Sequence, residues 1–239
     1  MSVAAVSASS ACAEGLLALA DEADRRRDFS AAASCLESAL RPPHAVALLP
    51  LAEARARLRL AALLLAPRGS SRAPRAGAPA AAKAHLERAL LILSPLPSAP
   101  PRLKLLAHSH LAGAYAVLGA VPSQKHVLHR ALGLLASASA SGLLQRGPAL
   151  LWTCNFQAQL ASALTVDGDA ASALSALSVG GTAAAELGSP QLELFFAASA
   201  LHVHLLCWED SAAVENSVTR ATQLWDAIPA QQVDVDLGA

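Results

Sequence analysis

One spacing recurs along this chain and leaves few folds open to it: a small residue, a leucine four positions on, and a second small residue three further. Ala32, Leu36 and Ala39 show it first, and Ala82, Leu86 and Ala89 repeat it; Leu128 and Ala131 keep its second half, Ala173 and Leu177 its first. Offsets of four and seven fall on one stripe of a helix with about 3.6 residues per turn, but on opposite faces of a strand. A small, large, small stripe lets a second helix cross closely at the small positions while the leucine fills the space between them.

The helices that would cross there are also visible. Leu19-Ala20, Leu111-Ala112-Gly113-Ala114-Tyr115 and Leu160-Ala161-Ser162-Ala163-Leu164 each precede one of the stripes. Five helix pairs follow from this reading. The first has Leu19-Ala20 on one helix and residues 28–40 on the next, stopped by Pro42-Pro43. The second joins residues 51–65 to 80–93 and is closed by Pro95 and Pro97; the third carries Leu111 to Tyr115 and then Leu128 and Ala131. The fourth turns at Gly168-Asp169, with Gly180-Gly181 expected as a helix break, and the fifth joins 191–207 to 212–228. Paired helices of this kind are the tetratricopeptide pattern, although successive second helices lie about 40 to 50 residues apart rather than the ideal 34 or so. A single pair cannot bury its own apolar faces, so the pairs must stack.

The expected fold is therefore all-α, a tetratricopeptide-like helical-hairpin solenoid with a right-handed superhelix and about five pairs. Residues 13–228 form the repeat domain, between a disordered leader at 1–12 and a disordered tail at 229–239. The Pro-, Gly- and Arg-rich stretch at 67–79 has no apolar period and is expected to be a disordered loop.

Composition excludes several classes. The chain is 54% hydrophobic but only 3% aromatic, with Ala and Leu dominant, which favours helix over sheet. Mean hydropathy is +0.41, high enough to raise the membrane question. The longest apolar runs, 58–67 and 194–208, fall short of the roughly 20 residues a spanning helix needs and contain Arg59, or His202 and His204. No Lys or Arg precedes Arg25, so the amino terminus lacks the basic region of a secretory signal or transit peptide. Net charge is zero, yet residues 1–120 hold 14 basic and 8 acidic side chains while 121–239 hold 4 and 10, a polarity that bears on association rather than fold. It is too diffuse to mark a nucleic-acid site.

Catalytic and metal chemistry find no foothold. Cys12, Cys35, Cys154 and Cys207 are scattered, without the paired spacing of a zinc module or a disulfide framework, and are expected as buried free thiols. His202 and His204 stand two apart, about 200° around a helix, so one is expected to pack inside and the other to face out; His108 and His110 share that spacing. His126 and His129 could share a face but have no neighbouring carboxylate or thiol in sequence. No phosphate-cradling Gly-rich loop, nucleophile elbow or paired-carboxylate arrangement is present, which points to a protein that is not an enzyme and uses no cofactor.

What remains is a binding surface on the first helices of the pairs. Arg55 and Arg59, four apart, share a helix face. They read either as a solvated stripe paired with Glu53 or as anchors for acidic or backbone groups of a ligand. Asn155, mid-helix among Trp152, Phe156 and Leu160, is either a satisfied core amide or a ligand clamp. Ser162, with Ser109 and Gly113, would leave room for a peptide backbone.

Longer strings are more specific. Residues 57–65 (RLRLAALLL) with 84–91 (AHLERALL), residues 151–161 (LWTCNFQAQLA) and residues 193–204 (ELFFAASALHVH) closely resemble the small subunit of the cohesin loader, the sister-chromatid cohesion tetratricopeptide family. Trp208 and the helix around Val214-Glu215 fit as well, so the resemblance runs in order from about residue 13 to 228. It implies a non-catalytic nuclear scaffold, active in mitosis and chromosome partition. Such a scaffold encloses the extended amino terminus of the large HEAT-repeat loader subunit and acts through it on cohesin and chromatin. Family chains are much longer, and residues 67–79 and 231–239 have no counterpart in them. The alternatives are a generic tetratricopeptide adaptor for another protein and, more weakly, a regulatory enzyme subunit. A chaperone-tail adaptor needs Lys, Arg and Asn clamps on adjacent first helices, whereas the first-helix arginines here cluster in one pair.

Overall fold

A computed structural model describes residues 3–66, 77–207 and 211–228. Among them are eleven α-helices and no strand: α1 (Val3–Arg25), α2 (Phe29–Ala39), α3 (His44–Ala47), α4 (Pro50–Leu65), α5 (Ala78–Leu93), α6 (Pro101–Val117), α7 (Val121–Ala140), α8 (Arg146–Val166), α9 (Ala170–Glu186), α10 (Pro190–Leu206) and α11 (Ser211–Ala227). Proline stands in the first helical turn of α4, α5, α6 and α10, where its missing N–H would have no partner in any case. The expected helix bounds agree with the structure to within two or three residues at most ends.

The chain forms two compact units, Met1–Ala120 and Val121–Ala239. In the first, α1 pairs with α2 and α4 with α5, α2 lies on α4, and α6 covers α5 and touches α4. In the second, α7 lies on α8, the hairpins α8–α9 and α10–α11 stack through α9 and α10, and α8 also meets α10. Consecutive pairing of neighbouring helices is the helical-hairpin architecture expected from the repeats.

The stripes read from sequence are the core. Ala32, Leu36, Ala39, Ala82, Leu86, Ala89, Leu128, Ala131 and Ala173 are all 0% exposed. Leu60-Ala61 of α4 is the counterpart of Leu19-Ala20 and Leu160-Ala161, and both its residues are fully buried. In the first unit Ala20, Ala33, Leu36, Leu40, Ala56 and Leu60 form one cluster, into which Leu17, Leu48, Leu63 and Leu64 pack. In α7 the first small position is taken by Gln124, which is buried.

Two hairpin turns share one construction. Asp169 caps α9 by accepting from the Ser172 N–H at 3.0 Å, while its own N–H donates back to the Leu164 carbonyl at 3.0 Å. Hydrogen bonds from the Ser172 side chain and N–H pull the Asp169 carboxyl below the usual carboxylate range. Asp28 does the same for α2, accepting from Ala31 at 2.9 Å and donating to Ala23 at 2.8 Å. The residue before each aspartate adopts positive φ: Gly168 at 80° in one turn, Arg27 at 59° in the other.

Many exposed or half-buried hydroxyls turn back on the helices that carry them. Ser34, Ser38, Ser137, Thr165, Thr182 and Ser199 each donate to the carbonyl four residues earlier, at 2.8–3.0 Å.

Several expectations need correction. α1 begins at Val3, so the leader expected as disordered is helical from that residue. The loop expected at 67–79 lies outside the described residues from 67 to 76, and Pro79 is already in the first turn of α5; the tail at 229–239 also lies outside them. Gly180-Gly181 does not break α9, which runs unbroken from Ala170 to Glu186. A β-carbon on Gly180 would overlap the Phe196 ring, so that glycine makes room for an aromatic side chain of α10. Of the four free cysteines only Cys154 is buried; Cys35 is half-buried, and Cys12 and Cys207 are exposed.

Candidate partner-binding groove

α8 and α10 are the first helices of adjacent hairpins, and between them lies an open cleft of about 510 Å³. Ala158, Ala161, Ser162, Thr165 and Val166 form one wall, Phe195, Ala198, Ser199, His202 and Val203 the other, and Leu177 of α9 the floor. Small side chains on both walls create the gap. Val166 and Phe195 rim it with exposed apolar surface, 73% and 50% accessible. Beneath it α8 is rigidly anchored: Phe156 is fully buried and stacks on Trp152 with centroids 5.4 Å apart, and the buried Cys154 thiol donates to the Gly180 carbonyl at 3.6 Å. Burial pushes that thiol's pKa up, which keeps it protonated.

Ser162 is exposed within this groove. Asn155, seven residues earlier, lies on the same stripe of α8, since seven residues make nearly two full turns. It is exposed rather than a core amide, and its carbonyl accepts from Gln159 Nε2 at 2.9 Å. These two residues belong to the second unit; Arg55 and Arg59 belong to the first.

Arg55 is exposed and makes no ion pair among the described residues. Arg59 is a strut. Its guanidinium donates to Asp24 Oδ2 at 2.7 Å and to the Ala20 carbonyl at 2.7 Å, and also pairs with Asp21, tying α4 to α1. Glu53 does not pair with either of them. It binds Arg57 at 2.8 Å, with Arg88 at 3.9 Å, and Arg57 in turn stands 3.2 Å from His85 Nδ1. Burial first, and the Arg57 charge second, lower the pKa of His85, so its imidazole is neutral and can accept from Arg57. This polar knot between α4 and α5 was not visible in the sequence, because residues 28 apart gave no periodic signal.

His202 and His204 occupy opposite sides of α10. His202 faces the groove; His204 lines a second cleft of about 540 Å³ between α9, α10 and α11, where Arg220 pairs with Glu193 at 2.9 Å. Of the two, expected as one inside and one out, His202 is exposed and His204 is half-buried, while Val203 between them is the fully packed residue. Among the described residues no group of three or more His, Cys, Asp or Glu side chains is placed to hold a metal ion. None of the described helices is long and apolar enough to cross a membrane.

No protein-family model matches the chain. It is 39% identical over 224 residues to sister chromatid cohesion protein SCC4 of Arabidopsis thaliana. That match covers 94% of this chain and 29% of the plant protein, so the chain spans less than a third of its relative's length. The similarity is to the same small subunit that the strings at 57–65, 151–161 and 193–204 resemble.

Proposed function

We propose that this chain is a non-catalytic scaffold of the cohesin-loading machinery, supporting sister-chromatid cohesion in the nucleus. The carrying observation is the 39% identity across 94% of the chain to a sister chromatid cohesion protein. In this proposal the partner is the extended amino terminus of the large HEAT-repeat loader subunit, and cohesin and chromatin are reached through it.

The groove between α8 and α10 supplies a physical route. An extended segment needs space for its backbone, polar groups to meet its amides and carbonyls, and an apolar seat for one or two side chains. Small residues on both walls give the space. Ser162 and Ser199 offer polar atoms within it and Asn155 stands two turns earlier on the same stripe of α8, while Val166 and Phe195 offer the seat. Arg55, unpaired among the described residues, is available to an acidic group at a second position; Arg59 is already committed to Asp24.

The test is titration of a labelled peptide from the large subunit's amino terminus against the full chain, its Ser162→Trp variant and its Arg55→Ala variant. Filling the groove with Ser162→Trp is expected to weaken binding by about tenfold or more, equivalent to about 1.4 kcal/mol, with an unchanged circular dichroism spectrum. Absence of binding by the unmodified chain at high micromolar concentration would remove the assignment.

A further inference from the structure

The turn between α1 and α2 reads Arg25, Arg26, Arg27, Asp28, Phe29, Ser30, and all six residues are exposed. Arginines stand five and three positions before the serine. Kinases that phosphorylate serine in basic surroundings select substrates through acidic clefts that read charges at such positions. Two structural observations add to the pattern. The Ser30 hydroxyl makes no hydrogen bond among the described residues, whereas Ser34 and Ser38 on the same helix are committed to backbone carbonyls. Arg27 also holds the positive-φ position that Gly168 fills in the matching turn, a conformation that disfavours any side chain with a β-carbon. Local geometry favours glycine there, and the chain places a cation.

We infer that Ser30 is a phosphorylation site for a basophilic serine kinase, with Arg25 and Arg27 as the charges it recognises and ATP as the phosphoryl donor. The serine hydroxyl oxygen bonds to the γ-phosphorus, the bond from that phosphorus to the bridging oxygen of ADP breaks, and the hydroxyl proton passes to the kinase's base. The product places a charge of about −2 in the first turn of α2, three residues after Arg27 and two after the capping carboxylate Asp28, at the helix end that favours an anion; Arg25 and Arg26 both start paired with Glu22 at 2.7–2.8 Å. The helix end tolerates the added anion, so the modified hairpin stays folded, and a surface that already sets Glu22 and Asp28 among its arginines becomes net acidic. This inference does not depend on the identity of the chain's partner.

The test incubates the full chain with labelled ATP and the catalytic domain of a cyclic-AMP-dependent-type kinase, and maps the label by mass spectrometry. The expected result is one phosphate, on Ser30, absent from Ser30→Ala. Arg27→Gly separates recognition from structure: its thermal midpoint stays at or above that of the unmodified chain, while its phosphorylation slows by about tenfold or more. Label on another serine, undiminished label in Ser30→Ala, or an unchanged rate in Arg27→Gly would each overturn the inference. So would an unlabelled folded chain under conditions that label a short peptide with the same arginine spacing.

Discussion

The ring of Phe196 occupies the space where Gly180 would carry a β-carbon, which would come within 3.0 Å of three of the ring's atoms. Gly180 continues the α9 stripe of Ala173 and Leu177, seven residues after Ala173. In α2 and α5 that third position is Ala39 and Ala89; here it has shrunk to glycine so that α10 can insert an aromatic side chain.

Gly180→Ala is expected to destabilise the second unit by about 1–3 kcal/mol through overpacking. Its neighbour should behave in the opposite way. A β-carbon on Gly181 meets Phe196 at an ordinary 3.7 Å, so Gly181→Ala gains helix propensity worth up to about 1 kcal/mol. Thermal midpoints that move in opposite directions would confirm this; a shared direction would refute the packing argument.

Arg59→Ala removes the strut between α1 and α4. Asp24 Oδ1 is already buried without a hydrogen bond, so the variant leaves the whole carboxylate poorly satisfied. The pair is about a quarter to a third exposed, so a loss of about 1–2 kcal/mol is expected, between the values for surface and buried pairs. Arg55→Ala, on the same helix, should stay within about 0.5 kcal/mol. Urea unfolding of the two variants separates them.

His85 and His110 both have their pKa lowered from 6.5 by burial, and His85 further by Arg57. Their protons bind more readily to the unfolded chain than to the folded one. Their contribution to stability is therefore fully present above pH 6.5 and is lost as pH falls below it towards the depressed folded values. The thermal midpoint should decline on acidification from pH 7 to pH 5, and His85→Gln should flatten that decline.

Helix α11 is held mainly by Leu224, while Val218 and Trp225 remain 44% and 55% exposed. α8 and α9 each bury six residues. Amide exchange within the second unit is expected to be fastest over 211–227 and slowest over 154–164 and 173–184. Uniform protection would contradict this.

The hairpins were legible in the sequence because each small, large, small stripe is local and needs only helix geometry to be recognised. The same reading misjudged Gly180, since its role depends on Phe196, sixteen residues away on the next hairpin. It left Arg59 open between solvent and ligand because Asp24 lies 35 residues earlier. Ser162 was legible as a small polar position on a first helix. Phe195 and Val166, which rim its groove, carry no such signal, because an exposed apolar rim follows from the angle between two helices; the spacing of His202 bears on metal geometry, not on a groove wall. Gln124 was missed because it is a polar residue at a position the pattern reserves for alanine.

Hydroxyls that donate to their own helix carbonyls have less capacity left for water. With 15% charged residues and no net charge, the chain has little electrostatic repulsion to hold copies apart near its isoelectric point of about 7.1. Its colloidal stability should be lowest at neutral pH and should rise on moving to pH 8.5, where light scattering from concentrated samples should fall.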